Sequence, residues 1–217
     1  MHPASDPAEQ NDPSRVIPDE ETQHIEVCLQ KAREGDLEAF ERFYLTYKGR
    51  IFNYLYRFLG DYHASEELTQ EVFIKAYKNL KRYEARMTPL AWIYTIARNS
   101  CKNWFRARAL RSHISLDAPA PQEGGSLGEL LPAQGESPEE EATRQEEEGL
   151  LKASILSLPA PFREVVILCD IQGCDYRQAA VILGTTTGTI GSRLFRARTL
   201  LAEQLRKVAD RERRKKP

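Results

Sequence analysis

The sequence contains no apolar run long enough to span a bilayer, and its N-terminal stretch lacks the basic-then-apolar pattern of a secretory leader. No membrane insertion is expected, and the protein should reside in the cytoplasm. Cysteine is sparse: the four residues at positions 28, 101, 169 and 174 form no C-x-x-C pair and stand apart from the four histidines. This spacing speaks against a metal or dithiol site and for reduced, mostly buried thiols. No glycine-rich phosphate loop, paired active-site carboxylates or Ser/Cys–His arrangement occurs with usable spacing. The chain is therefore not expected to be an enzyme or to hold a cofactor.

Net charge is nearly absent too, at −1 over 217 residues, but only through cancellation. Residues 1–22 carry −5, residues 23–111 +6, residues 112–149 −9 and residues 150–217 +7. Two basic blocks separated by an acidic one point to polyanion partners, although solvated charge is the simpler use of such runs.

Four prolines among acids and small polar residues predict a disordered tail over residues 1–21. From Thr22 the pattern is helical. Ile25, Leu29 and Ala32 share a face before Gly35. Asp36 can cap a second helix carrying Ala39, Phe40, Phe43, Tyr44 and Tyr47, which Gly49 is expected to bend or interrupt before Ile51, Phe52, Leu55, Phe58 and Leu59. A third helix is predicted over Tyr62–Leu80, with Leu68, Val72, Ala76 and Leu80 inward and Glu66, Glu67, Gln70 and Glu71 on the other face. Thr88 caps a fourth, with Pro89 at its first position and Leu90, Ile93, Ala97 and Cys101 inward. Arg98, Lys102 and Arg106 recur on it every four residues, interleaved with Trp92, Tyr94, Trp104 and Phe105. Cations beside aromatic rings suit opened nucleic acid, phosphates going to the cations and bases to the rings; core packing is the simpler use of at least one tryptophan.

Residues 112–149 are rich in Pro, Gly and Glu and read as a flexible acidic linker, with helix resuming near Ser137. Residues 150–217 then form a small helical domain. Leu150, Leu151, Ile155, Leu156 and Leu158 are expected to pack a short helix ending at Pro159, followed by one with Val165, Val166, Leu168 and Cys169 inward.

Within that domain, Asp175–Arg198 reads as two helices around a tight turn. Tyr176–Leu183 ends at Gly184, where glycine suits a positive φ, and Thr186 can cap a helix carrying Ile190, Leu194, Ala197, Leu201 and Leu205 as one apolar stripe. Off the stripe stand Thr189, Ser192, Arg193, Arg196 and Arg198. Periodicity leaves two readings open: a hairpin whose arginines are merely solvated, or a helix that enters a DNA major groove.

This stretch, DYRQAAVILGTTTGTIGSRLFRAR, resembles the promoter-reading helix–turn–helix of the extracytoplasmic-function sigma factors, S-Y-E-E-I-A-x-x-L-G-x-x-x-G-T-V-[KR]-S-R-L-x-R-A-R. Tyr176, Ala180, Leu183, Gly184, Gly188, Thr189, Ser192, Arg193, Leu194, Arg196, Ala197 and Arg198 match. Arg177 and Gln178 replace acids, Thr185 and Thr187 replace apolar residues, and Gly191 replaces a basic one. LPAPFREVVIL resembles the same family's L-P-x-x-x-R-x-V-x-x-L, and ELTQEVF at 67–73 with AWIYTIARNSCKNWF at 91–105 resembles its polymerase- and minus-ten-binding domain.

The resemblance implies an all-α protein of two small helical domains, over residues 22–111 and 150–217, joined by the linker. It implies an alternative sigma factor that binds core RNA polymerase, recognises minus-ten and minus-thirty-five promoter elements, serves a stress- or signal-responsive regulon, and is masked by an anti-sigma factor. Carried over by position, Glu67, Gln70, Glu71 and Phe73 would bind polymerase. Tyr83, Arg86, Thr88, Trp92, Arg98, Asn99 and Lys102 would meet minus-ten DNA, and Thr187, Thr189, Ser192, Arg193, Phe195 and Arg196 minus-thirty-five DNA. YEARMT departs from the family's F-R-G-x-S loop, so no base identity is carried over. The rival is a free-standing helix–turn–helix regulator, dimeric on a palindrome, which would have no use for ELTQEVF or the basic–aromatic helix.

Overall fold

The computed structural model describes residues 20–83, 87–114 and 138–215, with side chains for 20–83, 87–110 and 148–208. Among the described residues all regular structure is helical. Helices α1 (Glu20–Arg33), α2 (Leu37–Leu59), α3 (Tyr62–Lys78) and α4 (Pro89–Ile114) make an N-terminal unit, with a 3₁₀ turn at Leu80–Arg82. Helices α5 (Pro138–Ser157), α6 (Ala160–Val166), α7 (Tyr176–Leu183) and α8 (Thr187–Lys215) make a C-terminal one. None of the described helices is long and apolar enough to cross a membrane.

The N-terminal unit is built on α2. Asp36 caps it, its Oδ1 accepting from Ala39 N at 3.0 Å, and Asp61 caps α3 the same way through Ala64 N at 3.0 Å. Phe43, Tyr47, Ile51 and Leu55 project from α2 into a core completed by Leu29 of α1, Val72 and Ala76 of α3, and Ile93 and Ala97 of α4. Phe43 is the hub of an aromatic group, with ring centroids 5.2 Å from Tyr47, 6.0 Å from Phe73 and 6.0 Å from Trp92. Edge-on and tilted contacts of this kind add about 0.5–1.5 kcal/mol each beyond area burial.

In the C-terminal unit, Ile155, Val165, Ile167, Leu168, Ala179, Leu183, Ile190, Leu194 and Ala197 are buried together. Arg163 explains the L-P-x-x-x-R spacing. Its Nη2 donates to Leu158 O at 3.0 Å and also to Leu156 O, satisfying carbonyls orphaned where α5 ends. After α6 the chain winds into a π-helical turn, Ile167–Ile171, closed by Gln172 N donating to Ile167 O at 2.9 Å.

The two units share one continuous core, α4 packing on α7 and α2 on α5 and the π turn. Gly60 allows the closest approach. Its φ is +76°, and a Cβ there would fall 2.7 Å from Leu156 Cδ1, so both backbone and space call for glycine.

Several expectations change. Gly49 does not interrupt α2, because Tyr47 and Ile51 anchor the helix on either side and outweigh the roughly 1 kcal/mol propensity cost. Helix α4 continues to Ile114, into the start of the expected linker, while α5 starts at Pro138, beside the expected return of helix near Ser137, where proline followed by glutamates favours a helix start. The rest of the expected linker, 115–137, and residues 1–19 of the expected tail lie outside the described residues. Leu150, Leu151 and Leu205 are exposed, since α5 and α8 extend past the core that their apolar positions were expected to fill.

Candidate nucleic-acid interface

The helix–turn–helix is fixed by local chemistry at three points. Asp175 Oδ1 accepts from Gln178 N at 2.8 Å while Gln178 Oε1 accepts from Asp175 N at 3.1 Å, a reciprocal capping box. Glutamine in place of the family's acid therefore costs α7 no cap. Gly184 takes a left-handed conformation, φ 59° and ψ 48°. Thr186 Oγ1 accepts from Thr189 N at 3.2 Å and lies 2.9 Å from Thr189 Oγ1, so Thr189 belongs to the cap of α8.

Ile190, Leu194 and Ala197 bury one face of α8. At about 100° per residue, Ser192, Phe195, Arg196 and Thr199 fall within roughly 100° of arc on the opposite face. All four are exposed, Phe195 to 74 %, an extreme value for a phenyl ring with no described partner surface. Thr187 is exposed at the helix start. Arg193 lies on the flank, half-buried, and turns toward the N-terminal unit. Arg198 points elsewhere: its Nε donates to Asp170 Oδ2 at 3.1 Å and its Nη2 to Oδ1 at 2.5 Å, clamping α8 to the π turn.

On α4, Thr88 Oγ1 accepts from Ala91 N at 3.3 Å, and Asn99 and Lys102 are exposed. Two of the expected DNA contacts are engaged in packing. Tyr83 is only 7 % exposed, with its hydroxyl donating to Met87 O at 3.0 Å, and Trp92 is wedged between Phe43 and Tyr83. In this conformation the Tyr83 ring is buried and the Trp92 ring is partly buried against the core. Arg98 is also withdrawn, its Nε donating to Glu164 Oε1 at 3.1 Å. Arg86 lies outside the described residues. More accessible rings stand further along α4, where Phe105 is exposed beside Trp104 and the Arg108 guanidinium lies 5.1 Å from the Trp104 ring centre.

The polymerase set divides likewise. Glu67, Gln70 and Glu71 are exposed on α3, with Glu71 paired to Lys75. Phe73 is 4 % exposed, its ring 4.9 Å from that of Tyr44, so it supports the helix from beneath. Ile74 and Tyr77, absent from the expected set, are exposed and continue the stripe at helical spacing. A stripe mixing acids with uncovered apolar groups suits a protein partner better than DNA. Three thiols, Cys28, Cys101 and Cys174, are buried and Cys169 is half-buried, and burial pushes Cys101 up to about 12. Among the described residues no three metal-binding side chains converge.

The sequence matches two family descriptions, "Sigma-70 region 2" over residues 43–111 and "Sigma-70, region 4" over residues 149–201. It is 32% identical to the ECF RNA polymerase sigma factor SigW of Bacillus subtilis, over 84% of this chain and 97% of that protein. It is 30% identical to the ECF RNA polymerase sigma-E factor of Escherichia coli K12, over 80% of this chain and 90% of that one. Among solved structures, the sigma factor RpoE of Bartonella quintana, in complex with the anti-sigma factor NepR, superposes with a TM-score of 0.63 at 27% identity, covering 77% of this chain and 96% of that one. CnrH, in complex with the cytosolic domain of CnrY, gives 0.62 at 19% identity over 85% and 98%, a likeness of fold alone.

Proposed function

The chain belongs to the extracytoplasmic-function group of sigma-70 factors, and from that membership we propose how its surfaces divide the work of transcription initiation. It is an alternative sigma factor that binds core RNA polymerase, recognises promoter DNA and directs initiation. The C-terminal unit reads the minus-thirty-five element with Ser192, Phe195 and Arg196, while Thr187 and Arg193 reach flanking phosphates and Thr189 holds the helix start. The N-terminal unit meets the minus-ten region with Asn99, Lys102, Arg98 and Arg86, and Tyr83, Thr88 and Trp92 support that surface. Glu67, Gln70 and Glu71, underpinned by Phe73, face basic groups of polymerase. An anti-sigma factor is a further partner, by analogy with the relatives of known structure.

The observation that carries this reading is the exposed Ser192–Phe195–Arg196 face on a capped second helix. A hydroxyl, a ring and a guanidinium on one face can recognise a base edge, a thymine methyl and a guanine in a major groove. Run-off transcription with purified core polymerase, with and without this protein, tests it on a library of randomised promoters. Enrichment of one bipartite class of promoter is expected only when both proteins are present. Binding to a palindromic site without polymerase, and no enrichment with it, would favour the free-standing regulator.

A further inference from the structure

A helix about 10–12 Å across fills a major groove about 12 Å wide, so each of its flanks faces a wall of phosphates. Helix α8 furnishes an available cation for only one of them. Measured from buried Ile190 at about 100° per residue, Ser192, Phe195, Arg196 and Thr199 centre on roughly 190°. Arg193 lies on one flank, at roughly −60°, and Gly191 and Arg198 lie on the other, at roughly 80–100°. Arg193, Arg196 and Arg198 are the only cations between Thr187 and Thr199. Arg193 borders the cleft at the seam between the two units, and Arg198 is held by both oxygens of Asp170. The flank at Gly191 is thus left without a cation of α8 to offer DNA.

That flank is bordered by the first turn of α7. A Cβ on Gly191 would lie 3.6 Å from Tyr176 Cε2, and Tyr176 is itself exposed. The next residue, Arg177, is exposed too, and stands roughly 140° from the middle of the buried face that Ala179, Ala180, Ile182 and Leu183 form. Its position serves α7 poorly. Asp175 caps the helix, but the first turn itself carries no acid, and the N–H groups at a helix start favour anions over cations. A cation kept against the preference of its own helix points to a use outside that helix.

We propose that Arg177 grips a DNA phosphate on this flank of α8, supplying from α7 the cation that position 191 does not. Set against the family pattern, the same two positions change charge in opposite senses, a base being lost at 191 and one gained at 177. Such a contact carries no sequence information of its own. It fixes how the recognition helix sits in the groove, and so holds Ser192, Phe195 and Arg196 to their base edges. Arg177 is in this sense a positioning residue for minus-thirty-five recognition.

The inference rests on the minus-thirty-five role assigned to α8, and full-length variants assembled with core polymerase test it. Arg177→Gln, Arg177→Lys, Arg196→Ala and the double variant Arg177→Gln/Gly191→Arg are titrated across a salt series against an enriched promoter and its single-base-pair minus-thirty-five variants. Arg177→Gln should weaken every duplex by the same factor, about fivefold at about 0.15 M salt, with a log-affinity against log-salt slope shallower by about 0.9. Arg177→Lys should keep the slope, and Gly191→Arg should restore it in the double variant. The melting temperature of the free Arg177→Gln chain should not fall, because the charge removed is one that the helix start disfavours. A wild-type slope for Arg177→Gln, or no recovery on adding Gly191→Arg, would overturn the inference, and a lower melting temperature with a wild-type slope would assign Arg177 to the fold instead. Arg196→Ala separates the inference from its premise. If it relaxes preference at one position while Arg177→Gln changes nothing, the Arg177 contact alone is wrong; if neither variant alters promoter binding, α8 does not read the element and both fall.

Discussion

Gly191→Ala asks whether the glycine at this point of α8 serves the fold, the DNA or neither. Gly191 is not among the positive-φ glycines, so its backbone suits any residue. An added Cβ would meet only Tyr176 Cε2, at 3.6 Å, which is ordinary van der Waals contact. No clash offsets the gain in helix propensity, and the variant should be more stable by about 0.8–1.0 kcal/mol. For a cooperative domain of this chain's size that is a rise of about 2–4 °C in Tm. Gly191→Arg should keep most of the gain, since arginine forms helix nearly as well as alanine. It also places a cation beside Tyr176 on the flank of the exposed arc, and should steepen the log-affinity against log-salt slope on mixed-sequence duplex by about 0.9 for one added phosphate contact. Thermal melts and fluorescence-anisotropy titrations measure both. A lower melting temperature for Gly191→Ala would refute the packing argument. A higher one joined to loss of promoter binding by the holoenzyme would show that the bare backbone approaches DNA closely, and make Gly191 a contact residue.

Arg196→Ala should cost about 1–3 kcal/mol of promoter binding and relax preference at one position of a randomised minus-thirty-five element; equal weakening of every sequence would reduce Arg196 to a phosphate contact. Glu71→Lys should impair holoenzyme assembly while leaving the free chain's affinity for mixed-sequence DNA within about twofold, because the lost Glu71–Lys75 pair is half-exposed and worth only a few tenths of a kcal/mol. Normal assembly with defective promoter binding would contradict that role. Stability should fall in alkali. Burial, with Glu164 adding to it, pushes the Cys101 thiol up to about 12 from an ordinary 9.0, and burial pushes Cys174 up to about 12 as well. The folded chain keeps protons that the unfolded chain has released, so stability is full below about pH 9 and declines toward pH 12 at about 1.4 kcal/mol per unit for each group. Urea midpoints that stay flat across that window would show that both thiols ionise freely in the folded protein.

Much of the fold was legible because its signals are local. A cap needs one side chain three residues from one amide, and Asp36 and Thr186 both sit where the apolar period begins. The inward faces of α3 and α4 followed from three- and four-residue spacing for the same reason. Gly49 misled because its propensity cost is small and nonlocal packing at Tyr47 and Ile51 outweighs it. The ends of α5 and α8 misled in the opposite sense. Their leucines keep the helical period, but no other described element extends far enough to cover them, and period alone cannot report where a core stops.

The site was legible where a residue's role depends on its own helix, and illegible where it depends on another. Ser192, Phe195 and Arg196 stand opposite a buried stripe of the same helix, so their exposure could be read from spacing. Arg98, Lys102 and Arg106 look equivalent in sequence, yet Arg98 enters the seam while Lys102 and Arg106 are exposed. A four-residue step overshoots a full turn by about 40°, so the stripe rotates roughly 80° around α4 from first to last. Its start faces the C-terminal unit, and its later members turn outward. The partner that holds Arg98 lies 66 residues away in a segment that reads as ordinary amphipathic helix. No periodicity marks Glu164 as the partner of Arg98 rather than a surface acid, because the pair forms only when a carboxylate and a guanidinium from different units are packed together. Recognition residues on such a chain can be found by helix geometry. Whether they are free to act is a property of the packed whole.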